Sequence, residues 1–96
     1  MSAWTVFYTR RALGDLDGVF ADYEAKATGL GDRFVRRFKD SVARLETNPY
    51  LFGEVKTGVR ATPIKRFPQV IYYRVEAKRV VVLAVRHDPR IWKRRT

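Results

Sequence analysis

Cysteine is missing from this chain of 96 residues, and histidine occurs once, as His87. Without thiolates there is no disulfide framework and no cysteine nucleophile, a composition that fits a reducing cytosol. A metal site would have to rest on carboxylates, and no acidic cluster lies near His87, so no metal or other cofactor is expected. No stretch approaches the ~18 consecutive apolar residues of a membrane span. The opening MSAWTVFYTRR lacks the basic head and long apolar run of a signal peptide. Gly29 and Gly31 have no strand before them, so they do not form a phosphate-binding loop. Ser2 and Ser41 sit at a terminus and on a helical stripe, poor places for a nucleophile. The expectation is one soluble, cytoplasmic domain over residues 1–96 without a membrane partner.

Acidic residues are also scarce, ten against twenty Lys/Arg, for a net charge of +10. The excess is unevenly placed. Residues 1–53 carry eight basic and seven acidic groups, whereas residues 54–96 carry twelve and three. A C-terminal half at +9 favours an anionic partner such as nucleic acid or an acidic protein surface.

Hydrophobic periodicity sets the fold class. Residues 3–8 (AWTVFY) are β-branched and aromatic on both faces, which predicts a short strand buried on two sides. Leu13, Leu16, Val19, Phe20, Tyr23 and Ala27 then recur at three- and four-residue steps as one helical stripe, with Gly29 as a left-handed cap. Leu30, Phe34, Phe38, Val42 and Leu45 make a second stripe, stopped at Asn48-Pro49 because proline disfavours helical geometry in the residue before it. A link of about two residues predicts an antiparallel helical hairpin. The outer face of the second helix carries Arg33, Arg36, Arg37 and Arg44, read as solvated and partly offset by Asp32, Asp40 and Glu46.

After a loop through Tyr50–Lys56, the pattern becomes extended. Residues 59–66, 69–75 and 79–86 read as strands, the last two joined by a tight turn at Glu76-Ala77-Lys78. Pro63 cannot donate a ladder hydrogen bond, which places the first of them at an edge or a bulge. Val80–Val85 is apolar on both faces, as in a central strand. The order β-α-α-β-β-β predicts an α+β domain, with the helical hairpin on one face of a mainly antiparallel sheet. The other face is expected to be partly open, with Arg60, Arg66, Arg74 and Arg86 at positions that help line it. Tyr72 and Tyr73 are adjacent on one strand and so face opposite ways, both as packing groups rather than as a base-stacking platform.

Metal-free RNA cleavage needs a base, an acid and cations around the phosphorane. His87, Glu54 or a tyrosine can fill the first two roles, and Arg60, Arg66 or Arg86 the third. That inventory is common among small basic proteins, and a lone histidine at a strand end is more often a structural hydrogen-bonding residue.

The string GVRATPIKRFPQVIYYRVEAKRVVVLAVRH (58–87) resembles the RelE/ParE superfamily of type II toxin–antitoxin toxins. The Gly-Val-Arg opening, the Phe-Pro before the strand, the Tyr-Arg-Val and the apolar run ending in His carry the likeness toward the ParE side. LETNP (45–49) and the Arg-His-x-x-Arg near the terminus extend it over almost the whole chain. The resemblance implies a RelE/ParE-like fold, a cognate antitoxin as partner, and one of two targets. RelE-type members cut messenger RNA on the ribosome without a metal, and ParE-type members inhibit DNA gyrase with no established catalytic residues. Two departures separate this chain from the nucleases. Val70, within QVIYY, stands where they commonly carry an arginine just before the Leu-Val-Tyr part of the middle strand, and Asp88-Pro89 follows His87 where they tend to place a tyrosine or a His-Tyr pair. A nuclease would draw on Arg60, Arg66, Arg86 and His87. The expected role is instead recognition, by Arg60, Arg66, Arg86, Arg90, Trp92, Lys93, Arg94 and Arg95. A non-toxic basic nucleic-acid-binding module is the third alternative.

Overall fold

The computed structural model describes residues 4–87. A strand, β1 (Thr5–Tyr8), runs through Thr9 directly into helix α1 (Arg10–Lys26). The extended backbone of Thr9 ends the strand, and its hydroxyl accepts the Ala12 N–H at 3.1 Å, capping the helix. Helix α2 (Leu30–Thr47) follows after three residues, then β2 (Glu54–Lys56), β3 (Val59–Pro63), β4 (Gln69–Glu76) and β5 (Arg79–His87). The strands form one sheet in the order β1-β5-β4-β3-β2. Only the β1–β5 pair is parallel. The α+β class, the helical hairpin and the mainly antiparallel sheet are as expected.

The sequence pattern and the structure differ at several points. The segment read as a loop contains the short strand β2, which three residues cannot announce by periodicity. β1 is an edge strand: Thr5 and Phe7 are exposed, while Val6 and Tyr8 turn toward the core. In α1 the inward stripe is Ala12, Leu16, Val19 and Tyr23, whereas Leu13 is 51% exposed. Gly29 is left-handed (φ 88°), but it is the N-cap of α2, with Ala27 closing α1. β3 stops at Pro63, past the reach of β2, so the proline sits where no strand asks for its N–H.

The hairpin is closed by a tight approach of its helices. A Cβ on Gly31 would meet the Phe20 ring at 2.8 Å and Cγ of Glu24 at 2.9 Å. The Glu24 carboxylate accepts the N–H groups of both Gly29 and Gly31, satisfying donors at the start of α2. Beneath the helices lies the main core. Phe34 packs against Tyr23, Phe38 and Phe67, over Ile71, Tyr73, Val80, Val82 and Val85 of the sheet. Tyr73 is fully buried and donates to the Pro49 carbonyl at 2.7 Å. Burial pushes its phenol up to about 12, against a smaller lowering by Arg60.

Helix side chains also finish the sheet where strands run out. β1 ends opposite Val82, and the next groups of β5 turn to α1 instead. Thr9 donates its hydroxyl to the Leu83 carbonyl at 3.0 Å, and the Asp15 carboxylate accepts the Val85 N–H at 3.0 Å. Beyond β2, Ser41 of α2 donates to the Pro63 carbonyl at 3.1 Å. Backbone groups that would otherwise be orphaned are thereby paired.

Candidate functional site: the open face of the sheet

Among the described residues, no helix packs on the second face of the sheet. Ala61, Val70, Tyr72 and Ala84 form a smaller buried cluster there, flanked by Val55 and Val59. A bulge shapes it. Tyr72 pairs with Ala84 and Tyr73 with Val82, leaving Leu83 without a direct partner on β4. Leu83 and Ala84 consequently both line one groove of about 410 Å³. Its floor is Val55, Val59, Tyr72, Leu83 and Ala84, and its rim is Arg11, Lys56 and Arg86. The Arg86 guanidinium lies 5.2 Å from the centroid of the Tyr72 ring, covering an aromatic face while keeping its charge in water. Arg11 is held loosely by Asp15 at 3.8 Å. Among the described residues, no carboxylate and no imidazole lines the groove. An apolar floor with a cationic rim suits an acidic, amphipathic surface.

The residues singled out from sequence do not converge here. Arg86 is the one that lines the groove. Arg74 is on the same face, but its Nε is 2.9 Å from Glu76. Arg60 pairs across the sheet with Tyr73 rather than with a groove residue. Its guanidinium donates to the Phe52 carbonyl at 2.7 Å, lies 5.0 Å from the Tyr50 ring centroid and approaches Glu54 at 3.8 Å. These contacts tie the segment after α2 to β3. Arg66 is not on a strand at all; it lies in the β3–β4 turn at φ 72° and lines a separate concavity on α2. His87 is the last residue of β5, exposed and paired with Gln69, on the opposite side of the strand from Arg86. Thus Arg60, Arg66, Arg86 and His87 do not share one pocket. Arg90, Trp92, Lys93, Arg94 and Arg95 lie outside the described residues.

Sequence reasoning missed Arg11, Lys56 and Leu83 as groove residues. Arg11 reads as the solvated first turn of a helix, and Lys56 sits on a strand of three residues. Leu83 reaches the groove through a bulge, for which VVVLAV offers no signal.

Comparison with known proteins agrees with the fold. The family model described as ParE toxin of type II toxin-antitoxin system, parDE, matches residues 6–92. None of the curated protein sequences matches the chain. Among solved structures, the chromosomal ParDE toxin–antitoxin system from P. aeruginosa aligns with a TM-score of 0.78 at 21% identity, covering 88% of this chain and 96% of that one. A YoeB/ParE toxin from Agrobacterium tumefaciens aligns at 0.64 and 15% identity, covering 88% and 98%. The YoeB dimer from Staphylococcus aureus aligns at 0.63 and 13%, covering 91% and 99%. At such identities the structures establish a shared fold, and the family model establishes kinship. A toxin of this kind has a cognate antitoxin as its partner. The chain belongs to the ParE toxin family of type II toxin–antitoxin systems.

Proposed function

We propose that this toxin arrests growth by binding a protein–DNA machine in the cytoplasm, DNA gyrase first among them, and that it acts by recognition rather than by cleavage. The observation that carries the reading is the composition of the groove: among the described residues, three cations over an apolar floor, with no carboxylate or imidazole to move a proton. The dispersal of Arg60, Arg66, Arg86 and His87 supports it further. Arg86 and Tyr72 form the described part of the contact. Arg90, Trp92, Lys93, Arg94 and Arg95 extend it, as residue types that often dominate binding hot spots. The same groove suits an acidic, amphipathic antitoxin segment that folds on binding.

The test is gyrase supercoiling and DNA cleavage with purified toxin, run beside messenger-RNA mapping in a translating extract. Loss of supercoiling with intact transcripts is the expected result. Unchanged gyrase activity at large toxin excess contradicts the reading, and codon-positioned cuts lost in His87→Ala or Arg86→Ala would replace it with a ribosome-dependent nuclease.

A further inference from the structure

A second concave surface lies on the other side of the sheet from the groove. It is a trough of about 870 Å³ between the outer face of α2 and the β3–β4 turn. Arg33, Arg36, Arg37 and Lys39 line it from the helix and Arg66 from the turn, with Asp40 as the single acidic residue among the described ones. Steps of three and four residues put Arg33, Arg36 and Arg37 on one helical face. The acids Asp32 and Asp40 are close in sequence, yet among the described residues no ion pair joins them to any of these cations. The expected partial offset of charge on α2 is therefore not made through direct ion pairs, although Asp40 lies in the same trough.

So many unpaired like charges repel one another and work against the isolated fold. The turn adds a second cost. Arg66 is held at φ 72°, a left-handed conformation that disfavours a residue with a Cβ. It places a fifth cation opposite the helix row. Phe67, buried beneath it, donates its N–H to the Ile64 carbonyl at 3.1 Å and fixes the turn.

Charge density indicates what would relieve the repulsion. Arg33 to Lys39 is six steps along the helix, about 9 Å of its axis, and holds four cations. That is one positive charge per 2 to 3 Å, roughly, close to the one phosphate per ~3.4 Å along each strand of duplex DNA. Arginine predominates, and its planar fork matches phosphate oxygens. Apolar anchoring points the other way in the two concavities. Among the described residues, the groove has five apolar residues of the eight that line it, whereas the trough has only Leu30 and Phe67. An amphipathic acidic peptide suits the first. A phosphodiester backbone suits the second.

We infer that the α2 trough binds the phosphate backbone of duplex DNA, through Arg33, Arg36, Arg37, Lys39 and Arg66. The choice of DNA as the nucleic acid rests on the reading that the target is a protein–DNA machine. The toxin then meets that machine on two sides, protein at the groove and DNA at the trough.

The experiment is fluorescence anisotropy of purified toxin with a labelled 20-base-pair duplex across a series of KCl concentrations. Binding should be salt-dependent, and Arg33→Gln/Arg36→Gln/Arg66→Gln should weaken it at least tenfold at low salt. The slope of log affinity against log salt should fall by about 2 to 3. The control Arg74→Gln/Lys78→Gln/Arg79→Gln removes the same charge from the β4–β5 hairpin and should stay within threefold. Thermal melting followed by circular dichroism verifies that both proteins are folded. Arg36→Gln alone should lose about threefold, a second reading less exposed to any folding defect. Equal losses in the trough and control triples would show net charge alone and overturn the inference. So would no binding by the wild type at low salt, or displacement by poly-glutamate as effective as by unlabelled DNA. Gyrase assays on the same preparations separate the two proposals. Lost trough binding specificity with gyrase inhibition intact removes only the trough; intact trough binding without gyrase inhibition removes only the proposed target.

Discussion

Tyr72 and Tyr73 are neighbours in sequence and both are buried, yet they belong to different parts of the molecule. Tyr73 lies under the helices, hydrogen-bonded to Pro49, within the large aromatic core. Tyr72 belongs to the small cluster on the face without helices, covered by the Arg86 guanidinium. One face is closed by the helices and the other, at Tyr72, by a charged side chain. The two faces of one sheet differ in kind: the large core lies on the helix side, and the groove proposed to meet a protein partner lies on the open side.

The first way to break that contrast is to attack the closed face. Phe34 is fully buried among Tyr23, Phe38 and Phe67. Phe34→Ala should cost about 3–5 kcal/mol in urea unfolding, a large share of what a domain of this size has. A cost below about 1 kcal/mol would show that the helices contribute little to holding the sheet.

Tyr73→Phe is the finer cut on the same face. It strands the buried Pro49 carbonyl and should cost about 1–3 kcal/mol. It also carries a pH signature. The phenol's folded pKa, about 12, lies above its ordinary value of 10.0, so the folded state holds the proton more tightly. The corresponding stability is fully present below pH 10 and is lost as pH rises toward 12, about 2–3 kcal/mol in all. Unfolding free energies from pH 9 to 12 should fall in the wild type, and Tyr73→Phe should lack that portion of the fall.

The β4–β5 turn gives a smaller effect of opposite sign. Ala77 and Lys78 have φ of 48° and 63°, the two left-handed residues of a two-residue hairpin loop. Lys78→Gly relieves one of them and should stabilise the protein by about 1 kcal/mol in urea unfolding, without changing groove function. Lost groove function would mean that the hairpin end communicates with the open face.

How much of this was legible in the sequence depends on the range of the interaction. The stripe Leu30, Phe34, Phe38, Val42 and Leu45 sits inward as its spacing requires, because a complete helical period repeats over four turns. The opposed faces of Tyr72 and Tyr73 also follow from the two-residue period of a strand. Leu13 misleads because Ala12, small enough for the close approach to the sheet, takes the inward position beside the Thr9 cap. The site was less readable. Its groove depends on a bulge at Leu83 and on a three-residue strand bringing Lys56 near Arg86, neither of which leaves a periodic trace. Arg66 and Arg60 look like surface strand residues until the turn geometry and the Phe52 carbonyl claim them. The kinship, by contrast, showed in the order and spacing of residues 58–87, because family resemblance does not require knowing where each side chain points.

The smallest expected change in stability carries the most direct functional test. Arg86 is exposed and contacts only the Tyr72 ring among the described interactions, so Arg86→Gln should shift the melting temperature by no more than about 2 °C. Gyrase supercoiling should be titrated with wild-type and Arg86→Gln toxin side by side. The folded variant should need at least ten times more protein for the same inhibition. Equal potency of a folded Arg86→Gln protein would contradict the claim that the open face of the sheet is where this toxin acts.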